Sequence, residues 1–151
     1  MAQLKLKNGS ELEYFDNGIQ SEKAILFLHG TPGDGTAWTK WLAEIKECRA
    51  ISSSRPGYGN SDRVKGRTVA SDLETQKEIL DHFGIKKFVV IGWSGGGPHA
   101  INMTRHRSSV GAITLAGVGE WGHPDLDYLD GMGDENHEEF GAARAGEGII
   151  D

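Results

Sequence analysis

In the 151-residue sequence, Gly92-Trp93-Ser94-Gly95-Gly96 has the residue types and spacing for covalent chemistry. A serine hydroxyl attacks well only where it stands clear of the backbone, beside N–H groups that can receive developing negative charge. Here the apolar run Phe88-Val89-Val90-Ile91 feeds directly into the glycines, and a segment with Pro98 near its start follows. That run is too short and too β-branched for a helix and reads as a buried parallel strand. A strand, a glycine turn with Ser94 at its apex and a helix form the pattern of a nucleophile elbow. Gly92 and Gly96, two positions to either side, allow strand and helix to approach closely. The N–H after the serine and the start of the helix then face the developing charge.

Other residues capable of chemistry read more plainly. His82, His99 and His106 fall on expected helices without metal-ligand pairing, so exposed or packing roles are expected for them. Asp125, Asp127 and Asp130 lack the glycine and terminal Glu of a calcium loop. No metal and no cofactor is expected. Neither GWSGGG at 92–97 nor GTPGDG at 30–35 carries the Lys of a phosphate loop, so nucleotide binding is only a minor third reading. The single Cys48 cannot form an internal disulfide and reads as a packing residue, consistent with a reducing compartment.

The elements that must hold Ser94 follow from periodicity. Leu4 and Leu6, then Leu12 and Tyr14, alternate with polar residues about Asn8-Gly9, which predicts an antiparallel hairpin. Ala24 to Leu28 is a continuous apolar strand running into His29-Gly30-Thr31-Pro32-Gly33. Trp38, Trp41, Leu42, Ile45 and Cys48 fall at helical spacing, predicting an amphipathic helix from Thr36 to Cys48 with its tryptophans in the core. Ala50 to Ser54 is a further strand, ending in a loop dense in Gly and Pro at 55–62. Leu73, Ile79, Leu80 and Phe83 predict a helix over 69–83 capped at Gly84. After the Ser94 elbow comes a helix to about Arg107, then a strand from Gly111 to Ala116. Alternating strands and helices in this order predict an α/β fold, a mostly parallel sheet with helices on both faces and an antiparallel N-terminal hairpin.

Charge divides the chain near residue 120. Residues 1–119 carry 15 basic and 12 acidic side chains, and residues 120–151 carry one basic and 10 acidic, within a net charge of -6. This balance argues against nucleic acid or an anionic membrane as the partner. Two regions are therefore expected, 1–119 as core and 120–151 as the start of a cap or lid or as an acidic, partly ordered tail. A helix over 134–145 is possible there, with Phe140 and alanines as a thin apolar side. No secretory leader is visible at the N-terminus, and the longest apolar run, Ala24 to Leu28, is far too short to span a membrane. The expected location is cytoplasmic.

Taken together, HGTPG at 29–33, SRPGYGNSD at 54–62 and GWSGGG at 92–97 resemble the α/β-hydrolase fold family, in its esterase, aminopeptidase and haloperoxidase-like branch. The resemblance covers Leu4 to about Gly119 well and the rest loosely. It implies that Ser94 is the nucleophile of a serine hydrolase acting on an ester or amide bond through an acyl-enzyme. It implies that the N–H groups of Thr31 and Gly95 form the oxyanion hole, with His29 and Gly30 as supporting loop residues rather than the catalytic base. Serine at the elbow argues against the branches that place a carboxylate there.

The resemblance also implies a longer protein, in which later strands carry the catalytic acid and base. The chain then reads as roughly the N-terminal half of an enzyme, inactive alone. An internal alternative exists, since Glu120, His123 and His137 follow Ser94 in the order acid, then histidine. No expected strand fixes those three, so they read as surface residues. A different functional class is a catalytically incomplete chain that associates. Without later strands, the strand at 111–116 leaves an apolar parallel edge for a C-terminal half or a second copy.

Overall fold

A computed structural model describes residues 1–116, 119 and 121–145; of Ala143 only the backbone is described. Glu120, one of the sequence candidates, lies outside the described residues. The chain divides into two compact units, Met1–Val118 and Gly119–Asp151.

The first unit is built on a sheet. Strands β1 (Ala2–Lys5) and β2 (Glu11–Asp16) form the predicted hairpin, turning through Gly9 at φ +90°. Strands β3 (Lys23–Leu28), β4 (Arg49–Ser53), β5 (Lys87–Trp93) and β6 (Ser109–Leu115) are mutually parallel, and β2 pairs antiparallel with β4. Among the described residues the spatial order of the six strands is β1-β2-β4-β3-β5-β6. The chain steps from β3 to one side for β4 and then to the other side for β5. The crevice beyond the carboxyl ends of β3 and β5 is therefore a topological switch point, where open α/β sheets receive ligands.

Alternation along the strands sends side chains to two cores. Ala24, Leu26 and Leu28 of β3 and Phe88 and Val90 of β5 join Ile79 and Leu80 of α2 (Val69–His82) and Ala100 and Met103 of α3 (Gly96–Met103). Phe27, with Ile25 and Ile91 beside it, packs on the opposite face against Trp38 and Leu42. Helices thus cover both faces, and β5 is hydrogen-bonded between β3 and β6. Helix α2 begins with a reciprocal cap, Thr68 and Ser71 each accepting the other's N–H at 3.1 and 2.8 Å, and ends before Gly84 at φ +65°.

The helix expected over Thr36 to Cys48 is shorter than its periodicity suggests. A 3-10 turn, Gly35–Trp38, leads into α1 (Thr39–Glu44), and Ile45 is already extended. Asn17 explains the early end, because its side-chain amide donates to the carbonyls of both Ile45 and Cys48, at 3.0 and 3.1 Å. Trp38 is buried as expected, but Trp41 is exposed, so only one of the two tryptophans belongs to the core. The helix after the elbow also stops early, at Met103 rather than near Arg107, with Thr104, Arg105 and His106 in successive turns.

The second unit contains turns over 121–131 and α4 (Asp134–Ala145), the segment the sequence allowed to be helical. Trp121, Tyr128 and Phe140 form its aromatic cluster, with Arg144 lying 5.2 Å over the Trp121 ring. Among the described residues, no helix is long and apolar enough to cross a membrane.

Candidate active site

Ser94 follows the carboxyl end of β5 with φ +49°, a left-handed conformation that a side chain adopts only where its surroundings hold it. Its N–H donates to the Leu115 carbonyl at 3.0 Å and its carbonyl accepts from Gly97 N–H at 2.8 Å, so the apex is tied to β6 and to α3. The flanking glycines are required by space. A Cβ on Gly92 would lie 2.6 Å from the Gly96 carbonyl carbon and 2.8 Å from Ala100 Cβ. One on Gly96 would collide with the Leu28 and His29 carbonyl groups of the neighbouring strand end. Helix α3 can start this close to β3 and β5 only because both positions lack side chains.

The second wall of the crevice is the loop after β3. A Cβ on Gly30 would meet Ser94 Cβ at 3.2 Å, so the loop runs directly past the serine. A Cβ on Gly95 would stand 3.2 Å from the Thr31 nitrogen, which brings the Thr31 and Gly95 main chains side by side at the start of α3. Ser94, Gly95, Thr31, His29 and Gly30 therefore meet at one place, although they come from segments about sixty residues apart. Ser94, Gly95 and Thr31 are half-buried, while His29 and Gly30 are buried.

His29 is occupied on both ring nitrogens. Its Nε2 accepts the Arg55 main-chain N–H at 3.0 Å, so Nδ1 carries the proton and donates to the Gly30 carbonyl at 2.7 Å. Burial, reinforced by the Arg55 charge, depresses its pKa to about 4, leaving the imidazole neutral at ordinary pH. The Arg55 side chain is itself fully buried. It donates to the His29 carbonyl, to the Gly30 carbonyl at 3.2 Å and to Thr31 Oγ1 at 3.0 Å. Burial lowers the guanidinium's pKa, and the nearby Asp72 carboxylate opposes that shift. Tyr58, with its ring 5.2 Å from His29 and 5.3 Å from the guanidinium, closes the pocket around both.

Two further buried polar groups support this arrangement. Asp72 of α2 hydrogen-bonds His99 Nδ1 of α3 at 2.7 Å, and Gln76 links Asp72 to Ser53 at the end of β4. Glu13 accepts from Ser54 Oγ at 2.6 Å and from Asn60 Nδ2 at 2.6 Å, and Ser61 Oγ donates to the Ser54 carbonyl at 2.6 Å. Burial works against the Glu13 charge, but the hydrogen bonds from Asn60 and Ser54 outweigh it and hold the carboxyl below its usual range. The SRPGYGNSD stretch is thus wound around one carboxylate. Gly59, at φ +55°, has no room for a Cβ against Glu13 and Ser54.

The roles of Arg55, Asp72 and Glu13 were not legible in the sequence. Their partners are distant in the chain, so no local pattern marks them. His123 and His137 lie in the second unit, both exposed, His137 on α4 and His123 in the preceding turns, where its Nδ1 accepts from Asp125 N–H at 3.2 Å. Among the described residues no three His, Cys, Asp or Glu side chains converge as a metal site.

Comparison with known proteins points the same way as the geometry. The model of the alpha/beta hydrolase fold matches residues 23–146. An uncharacterised hydrolase of Bacillus subtilis (strain 168) is 32% identical over 126 residues, covering 80% of this chain and 44% of that protein. A 2-hydroxy-6-oxononadienedioate/2-hydroxy-6-oxononatrienedioate hydrolase of Escherichia coli (strain K12 / DH10B) is 29% identical over 117 residues, covering 72% of this chain and 41% of that protein. The solved structure of a thermophilic esterase from Thermogutta terrifontis superimposes with a TM-score of 0.69 at 25% identity, covering 95% of this chain and 52% of the esterase. The match spans less than half the length of each of the two curated relatives, and the chain about half. With a family match over most of its length and the strand order and switch-point crevice described above, the chain belongs to the α/β-hydrolase fold family.

Proposed function

We propose that this chain carries the nucleophile and oxyanion hole of a serine hydrolase that cleaves an ester or amide bond through an acyl-enzyme. The observation that carries the reading is Ser94 at φ +49°, facing Gly30 across the β3–β5 switch point with Thr31 and Gly95 side by side next to it. In this reading Ser94 Oγ forms a bond to the acyl carbon as its proton passes to a base. The carbonyl oxygen becomes an oxyanion held by the Thr31 and Gly95 N–H groups. The leaving group departs with that proton, and water then releases the acid and restores Ser94. His29 is not the base, because its Nε2 already accepts a main-chain N–H.

The base comes from a C-terminal half of the same enzyme, or in the internal alternative from His123 or His137 with Glu120. The substrate is a small acyl compound, and neither nucleic acid nor membrane takes part. The test is a fluorophosphonate, expected to add to Ser94 once the C-terminal half is present and to leave Ser94→Ala unmodified; labelling of the chain alone that is lost in Ser94→Ala favours the internal alternative, and equal modification of both proteins removes the reading.

A second reading has its own support. Val110, Ile113 and Leu115 of β6 are 68%, 48% and 45% exposed, on both faces of a strand that would ordinarily lie inside a sheet. This strand would take up a C-terminal half or a second copy. Light scattering of the chain alone should find self-association that Val110→Lys with Ile113→Lys abolishes, and a clean monomer counts against it.

A further inference from the structure

The Gly30–Thr31 peptide group links Arg55 to the proposed chemistry, an argument that rests on the reading of Thr31 N–H as an oxyanion donor. A peptide is planar, so its C=O and N–H point in opposite, fixed directions. The carbonyl of this peptide is the Gly30 oxygen, which accepts from His29 Nδ1–H at 2.7 Å and from Arg55 Nη2 at 3.2 Å. Its N–H is that of Thr31. We propose that Arg55, acting with His29, is a positioning residue that fixes the plane of the Gly30–Thr31 peptide and polarises it, so that the Thr31 N–H is aimed at an oxyanion and donates more strongly.

Three features single out this role from general packing. The guanidinium contacts the loop at three successive points, the His29 carbonyl, the Gly30 carbonyl and Thr31 Oγ1, so it holds the segment rather than one atom of it. It is 1% exposed and bonds main-chain oxygens, while its Nε has no partner. Burying such a group is costly, and an ion-paired or apolar side chain would serve packing alone better. Lastly, a cationic donor on a carbonyl draws electron density through the peptide and strengthens the hydrogen bond its N–H makes on the far side. Asp72, near enough to favour the charge, balances it without taking the donors away from the loop. The same Asp72 is bound to His99 and Gln76, which keeps it in place.

The test pairs a readout of the peptide with a readout of the hole, both on this chain. Losing a donor from the Gly30 carbonyl moves the Thr31 amide nitrogen upfield in 1H–15N spectra. The shift in Arg55→Met should exceed that of the β3 and β4 amides and that in Arg55→Lys, which keeps the charge and its donors on a single nitrogen. Affinity for a phenylboronic acid, whose tetrahedral adduct on Ser94 places an oxygen anion in the hole, should fall at least tenfold in Arg55→Met and less in Arg55→Lys. A folded Arg55→Met with an unmoved Thr31 amide overturns the inference whether or not boron reacts. So does a moved amide with unchanged, Ser94-dependent boronate affinity. Boronate binding that survives Ser94→Ala speaks against the Ser94 reading, and none at all is the result of a serine without its base; in both cases the Thr31 shift decides the role of Arg55. If Arg55→Met does not fold, the Thr31 shift in Arg55→Lys decides it.

Discussion

Both ring nitrogens of His29 are committed to main-chain groups, and this neutrality has a cost in acid. Its folded-state pKa of about 4 lies below the ordinary value of 6.5, so between those values the unfolded chain binds a proton that the folded chain refuses. The stabilisation is complete above pH 6.5 and is lost as pH falls toward 4, amounting to about 3 kcal/mol across that window. Denaturant melts at stepped pH should show this slope in the native protein, and His29→Gln, which cannot titrate there, should flatten it. A slope that persists unchanged in His29→Gln assigns the acid sensitivity elsewhere. The family resemblance implied a loop-supporting role for the histidine. What it supports was not legible in the sequence, because Arg55 lies 26 residues on and the bond runs to its main chain.

Close approach of elements, more than any single contact, sets the geometry at Ser94. Helix α3 sits against the end of β3 with no space for a side chain at Gly96, where a methyl group would strike the Leu28 and His29 carbonyl groups. Gly96→Ala should therefore destabilise the fold by about 1–3 kcal/mol, measured by chemical denaturation. It should also displace the start of α3 from the His29 loop. A loss below about half a kcal/mol would mean that helix and strand are free to part. This packing was legible in the sequence, because a strand, a glycine turn and a helix within thirteen residues state their own geometry. The β3 to β6 strands were legible for the same reason, each a short apolar run stopped by Gly, Pro or polar residues. The helix at 36–48 was misjudged because its periodicity continues past Glu44, while Asn17, from a distant loop, takes the carbonyls of Ile45 and Cys48. Trp41 kept helical phase and yet is exposed, while Trp38 and Leu42 pack in the core cluster with Phe27 and Ala50.

At the scale of the molecule, the N-terminal unit holds a complete strand-turn-helix elbow and a complete loop opposite it, on a sheet whose β6 side chains remain half in solvent. The matches cover only 44% and 41% of the length of the two curated relatives. In the proposed reading, the nucleophile and oxyanion hole are formed within this unit while the base that activates Ser94 is supplied by a C-terminal half. That arrangement is tested most directly by fluorophosphonate labelling of the chain, alone and with that half supplied, with the modified residue located by tandem mass spectrometry. Rapid labelling at Ser94 is expected only when the C-terminal half is present, with none in Ser94→Ala. Rapid Ser94 labelling of the chain alone would contradict it, and so would labelling of the assembled protein at any other residue.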